Sequence, residues 1–145
     1  MATVNIYITF DGNCEEAFNF YKSVFGLPFL SFSRFNEMPP GDEGMSFSGE
    51  EGEKVMHASI KISEETVLMG SDTAQGFGPP YVQGNNFSVS ITAESREEAD
   101  RFFKELSAGG HQVMPMEDTF WGSYFGMVND KFGINWMVGF DEAPQ

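Results

Sequence analysis

The chain has 145 residues, 41% hydrophobic and 21% charged, enough for one domain or two half-sized modules with no disulfide or metal staple. Its 22 Asp and Glu against 8 Lys and Arg give a net charge of −14, a field that disfavours nucleic acid and anionic membrane surfaces as partners. A single cysteine, Cys14, excludes an internal disulfide and fits a reducing cytoplasm.

The N-terminal stretch has no basic segment and no long apolar run, so neither a signal peptide nor a membrane span is expected. Residues 5–10 alternate, with Ile6, Ile8 and Phe10 on one side and Asn5, Tyr7 and Thr9 on the other, which predicts a half-buried strand. Residues 13–26 predict a helix. Asn13 stands at the N-cap with Glu16 three positions later, Ala17, Phe20, Tyr21 and Val24 form an apolar stripe, and Gly26 stops it. Strands follow at 29–35, 55–62 and 66–70. The strand over 55–62 places Met56, Ala58, Ile60 and Ile62 on one face and Val55, His57, Ser59 and Lys61 on the other. Residues 37–54, rich in Gly, Pro and Glu, read as an irregular loop, either a tolerated insertion or a lid.

Residues 71–84 read as a linker between a first module of about 1–70 and a second of about 85–140. The pattern then repeats. Residues 86–92 alternate Phe87, Val89 and Ile91 against Asn86, Ser88, Ser90 and Thr92. Residues 95–110 carry a Ser95–Glu98 capping box, the stripe Ala99, Phe102, Phe103 and Leu106, and a Gly109-Gly110 stop. Strands follow at 112–116, 123–128 and 134–140. Glu15-Glu16-Ala17 matches Glu97-Glu98-Ala99 and Phe20-Tyr21 matches Phe102-Phe103, so the chain is an internal duplication of β-α-β-β-β. The expected fold is α+β: two paired modules forming a curved mixed sheet, with the polar faces lining a shared cleft suited to a small molecule.

Several residues bear chemistry. His57, on the polar face, suits a general base or a ligand hydrogen bond, or simply shapes the cleft. His111 reads as an exposed strand start. Cys14, at a helix N-terminus beside Glu15 and Glu16, reads as small apolar filler rather than a nucleophile. Strand parity makes Trp136 a core residue, leaves Tyr124 and Phe125 undecided, and puts Trp121 in a turn where it can touch ligand. No G-x-G-x-x-G, Walker A or G-x-S-x-G motif occurs.

The duplication resembles the vicinal oxygen chelate superfamily, which includes glyoxalase I, extradiol dioxygenases and bleomycin resistance proteins. The segments Phe10-Asp11-Gly12-Asn13-Cys14, Ala17-Phe18-Asn19-Phe20-Tyr21, Val55-Met56-His57-Ala58 and 118–137 are similar to the PhnB-like branch. Metal-dependent members place His, Glu or Gln at four positions that the resemblance maps to Asn5, His57, Asn86 and Met137. Only His57 there is a good ligand for a divalent cation, so no metal and no other cofactor is expected. The resemblance also implies a homodimer. The reading is a small-molecule-binding protein whose cleft is lined by Asn5, Tyr7, His57, Ser59, Asn86, Trp121 and Met137. The alternative is a metal-dependent isomerase, lyase or dioxygenase. Some PhnB-like sequences carry a ubiquinone-biosynthesis methyltransferase label, but no Gly-rich nucleotide loop between strand and helix supports that role here.

Overall fold

The computed structural model describes residues 2–37, 49–73 and 80–141. The chain divides into two compact units, Met1–Val82 and Gln83–Gln145. The first contains β1 (Ile6–Phe10), α1 (Cys14–Phe25), β2 (Ser31–Arg34), a 3-10 turn at Phe35–Glu37, α2 (Gly49–Glu53), β3 (Val55–Lys61) and β4 (Val67–Asp72). The second contains β5 (Val89–Thr92), α3 (Arg96–Ser107), β6 (His111–Asp118), β7 (Ser123–Asn129) and β8 (Asn135–Asp141). Each has a four-stranded mixed sheet, ordered β1-β4-β3-β2 and β5-β8-β7-β6, in which the first strand pairs parallel with the last and the other pairs are antiparallel. The α+β expectation of two β-α-β-β-β modules therefore holds.

Alternation places the core of the first unit. Ile8, Phe10, Ala58, Ile60 and Leu68 are buried on the sheet face beneath α1. From the helix come Cys14, Ala17, Phe18, Tyr21, Val24 and Phe25. The predicted stripe is thus corrected at one position: Phe18 is buried and Phe20 lies on its flank. Phe18 meets Phe10 edge-on with centroids 6.1 Å apart, directly over Gly70. A Cβ at Gly70 would sit 2.6 Å from the Phe18 ring, so only glycine lets that ring reach the sheet. In the second unit Ala99, Phe102, Phe103 and Leu106 of α3 are buried as expected, over Val128, Trp136 and Val138.

The two helix starts differ. Ser95 Oγ accepts from Glu98 N–H at 3.0 Å, and Glu98 Oε1 reaches back to Glu94 N–H. Asn13 makes no such bond. Asp72, at the end of β4 and 5% exposed, takes its place. Its Oδ1 accepts from the N–H groups of Gly12 (3.0 Å) and Cys14 (2.9 Å), and its Oδ2 from Val55 N–H (2.9 Å). One carboxylate thus ties the β1–α1 turn, the start of β3 and the end of β4 together. Gly12, at φ +96, permits that turn.

Other boundaries shift. Ser71 and Asp72 belong to β4 rather than to a linker, and β5 begins at Val89, leaving Asn86 in a bend before it. The predicted loop over 37–54 ends in α2, whose Glu51 pairs with Lys54 at 2.8 Å; residues 38–48 of it lie outside the described residues. Among the described residues no helix is long and apolar enough to cross a membrane.

Asp72→Ala would strand three backbone donors at a cost of about 2–5 kcal/mol. Asp72→Asn keeps one acceptor oxygen but turns an amide N–H toward Val55. Urea midpoints are expected to fall in the order wild type, D72N, D72A; equal midpoints would remove Asp72 from this role.

Candidate functional site

On the first unit, the sheet face opposite α1 carries the residues the sequence singled out. Cross-strand register runs Tyr7, Met69, Ser59, Ser31 in one row, and pairs Ser33 with His57 in the next. The Tyr7 and His57 rings lie 6.1 Å apart at 40°. Tyr7 is half exposed and His57 partly buried. Ser59 is corrected from a cleft-lining hydroxyl to a buried one: it is 2% exposed and shares a 2.8 Å hydrogen bond with Ser31 Oγ. Val55, grouped with that face by parity, is buried as well, beside Asp72. Asn5 sits just before β1 and uses Oδ1 to accept from Val67 N–H at 2.9 Å, closing the open end of the parallel pair.

On the second unit, Met137 of β8 pairs with Met127 and Ser90, on the face opposite α3. Trp136 is core, as parity required: its indole N–H donates to Asp130 Oδ2 at 2.9 Å. Tyr124 and Phe125 now separate. Tyr124 lies toward α3, donating to Asp100 at 2.6 Å under the Arg96 guanidinium, and the Asp100 bond pushes its phenol above the usual range. Phe125 lies on the other face against Trp121, with centroids 6.0 Å apart. Trp121 stands half exposed in the β6–β7 turn, as expected. Asn86 is exposed before β5. His111 begins β6 and is exposed.

The positions mapped to metal ligands thus fall as Asn5 and His57 in one unit and Asn86 and Met137 in the other. Their donors are two neutral amides, one already accepting a backbone N–H, one thioether and one imidazole. That set does not match the anionic or imidazole ligands a divalent Lewis acid requires. Among the described residues no three His, Cys, Asp or Glu side chains gather as metal ligands would.

The first unit also holds a pocket of about 660 Å³ that sequence reasoning missed, lined by Gly12, Glu15, Arg34, Glu53, Lys54 and Asp72 among others. Arg34 grips both oxygens of Glu15, at 3.0 and 2.7 Å, and donates to Glu53 O at 2.8 Å. The hydrogen bond from Arg34 holds the Glu15 carboxyl below the usual carboxylate range. The pocket's walls come from four separate stretches of chain, at 12–15, 34–36, 50–55 and 72, so no local motif could have flagged it.

A family model described as 3-demethylubiquinone-9 3-methyltransferase matches residues 2–139. Protein YjdN from Escherichia coli is 31% identical over 137 residues, spanning 91% of this chain and 90% of that protein. The crystal structure of protein PA1353 from Pseudomonas aeruginosa superposes with a TM-score of 0.80 at 34% identity, covering 97% of this chain and 98% of that one. The PhnB protein from Bacillus cereus superposes with a TM-score of 0.70 at 29% identity, covering 96% and 99%. A glyoxylase/bleomycin resistance protein/dioxygenase domain from Frankia, 12% identical, shares the fold alone, with a TM-score of 0.61 over 98% of this chain and 97% of that one.

Cys14 is fully buried at the first turn of α1. Burial above all, then the Asp72 and Glu15 carboxylates, push its thiol far above the usual range, which fits the filler reading. The folded state keeps this proton to a higher pH than the unfolded chain, so Cys14 makes stability fall as pH rises past the ordinary thiol range. Iodoacetamide at pH 8 is expected to leave native Cys14 unmodified and to alkylate it in urea. Fast labelling without denaturant would contradict its burial.

Proposed function

We propose a binding function for this chain, which belongs to the family described as 3-demethylubiquinone-9 3-methyltransferase, the PhnB-like branch of the glyoxalase/bleomycin resistance/dioxygenase superfamily. The protein binds a small, flat, uncharged or weakly basic organic molecule without a metal. The observation that carries this reading is the Tyr7–His57 pair on the face opposite α1. There an aromatic ring and an imidazole 6.1 Å apart stand among hydroxyls, with Lys61 at the strand end the only fixed charge on that face of β3. Such a surface supplies stacking and orienting hydrogen bonds, and it disfavours a ligand whose charge would go unpaired.

The methyltransferase description of the family is not the reading favoured here. Each sheet has one parallel pair, not the doubly wound parallel sheet and Gly-rich turn that nucleotide cofactors use. The second reading, a metal-dependent isomerase, lyase or dioxygenase, is kept alive by one observation, the imidazole of His57 at a mapped ligand position.

A thermal-shift screen of neutral and weakly basic aromatic compounds separates the two readings. At a hundred times Kd a true ligand adds about 2.7 kcal/mol, or roughly 5–10 °C in Tm. His57→Ala and Tyr7→Ala are expected to abolish the shift while leaving the free protein folded, and a chelator to leave it intact. A stoichiometric divalent metal in the purified protein, lost in His57→Ala, would establish the enzyme reading instead.

We also propose a homodimer. Strands β1, β2, β5 and β6 are sheet edges, and such edges need cover. Sedimentation velocity is expected to give twice the monomer mass; a monomer at micromolar concentration would refute it.

A further inference from the structure

Phe120 is almost wholly solvent-exposed, at 97%, and Trp121 beside it is 53% exposed. Water does not favour such a display, and the turn that makes it is built rather than loose. Thr119 N–H and Oγ1–H both donate to Ser123 O, at 2.9 and 2.6 Å, Ser123 N–H donates back to Thr119 Oγ1, and Gly122 N–H closes on Thr119 O. Gly122 takes φ +89, which the turn needs.

The rings meet at a right angle. Phe120 and Trp121 have centroids 5.0 Å apart with planes at 88°, and Trp121 meets Phe125 at 65° on its other side. In such an edge-to-face pair the upright ring keeps its own face open beside the outer part of the ring it stands on, a corner in which both present negative quadrupole density. The surrounding charge has the matching sign. Between Lys104 and Lys131 the chain has no Lys or Arg, while Glu117 and Asp118 immediately precede the turn. Asp118 is held by Arg96 at 2.8 Å, which neutralises that cation. Glu117 pairs in register with Phe125, so it shares that ring's side of the sheet, and no ion pair engages it among the described residues. On the opposite face of the same hairpin, the Arg96 guanidinium already lies 3.8 Å from the Tyr124 ring centroid.

We propose that the Phe120–Trp121 corner, with Glu117, is a binding site for the alkylated ammonium group of an organic cation. This goes beyond the binding reading above and gives the second unit a site and a ligand chemistry of its own. A quaternary ammonium is too bulky for close ion pairing, sheds its weak hydration easily and spreads its charge over methyl groups that fit two aromatic walls. A bare metal ion or a small hydrated ammonium gains less from such walls.

The test uses choline and its neutral isostere 3,3-dimethyl-1-butanol at one high, constant ionic strength, which screens the pull of the net charge of −14 on the cation. The chain has two tryptophans, and Trp136 is buried on Asp130, so its indole N–H signal is an internal reference for that of Trp121 in two-dimensional NMR. Choline is expected to move the Trp121 signal and not that of Trp136, and to bind roughly fivefold to thirtyfold more tightly than the isostere. Phe120→Ala, at a site too exposed to disturb the fold, is expected to remove that preference, and Glu117→Gln to weaken choline alone. Equal affinity for the two probes, equal movement of both indole signals, or a preference unchanged in F120A would overturn the proposal. If choline fails while aromatic ligands still raise Tm in a His57-dependent manner, the corner falls and the binding reading stands.

Discussion

A buried carboxylate must find donors for both oxygens, and each unit of this protein is organised around one that does. Asp72 accepts from Gly12, Cys14 and Val55, so a single side chain fixes where α1 starts, where β3 starts and where β4 ends. Asp130 accepts from the N–H groups of Phe132 (2.8 Å) and Ile134 (3.1 Å) and from the Trp136 indole (2.9 Å), which sets the β7–β8 turn and the largest buried ring. Among the described residues no buried side-chain nitrogen or oxygen lacks a partner. Removing either carboxylate would therefore strip three donors of their partner at once.

The two solutions show how a duplicated pattern diverges while its fold persists. In α3 the cap is local, Ser95 to Glu98; in α1 it comes from 58 residues away. Phe18 of α1 fills the space over Gly70, whereas the matching position in α3 is Asp100, which faces outward to hold the Tyr124 hydroxyl. Asn5 closes the parallel pair of the first sheet from its first strand. In the second sheet the corresponding tie comes from the last strand, Asn135 Nδ2 to Phe87 O. The faces opposite the helices diverge too. One gathers hydroxyls, a phenol and an imidazole; the other gathers Met127, Met137 and Phe125, edged by an aromatic turn.

Much of the fold was legible because it depends on short periods. Alternation at two residues located the strands to within a few positions, and the stripe of α3 matched its buried set without exception. The misses share a cause. Phe20 and Phe18 are equally apolar; Phe18 is the one covered because it lies on the stripe of Cys14, Tyr21 and Phe25, over the room that Gly70 leaves beneath the helix. Ser59 reads as polar and therefore wet, but a second serine across the strand pair satisfies it. The first turn of α2 is two glutamates after a glycine, which resembles the loop around it.

The sequence by itself determined the duplication, the strand and helix classes, the core role of Trp136, the inert setting of Cys14 and the turn position of Trp121, all consequences of spacing along a few residues. Tertiary structure decided which carboxylate caps α1, which serine is dry, which aromatic ring of the 124–125 pair faces α3, and which side chains stand beside His57. Those outcomes depend on which strands pair and on partners tens of residues apart, and the period of one strand fixes its buried face without naming its partners.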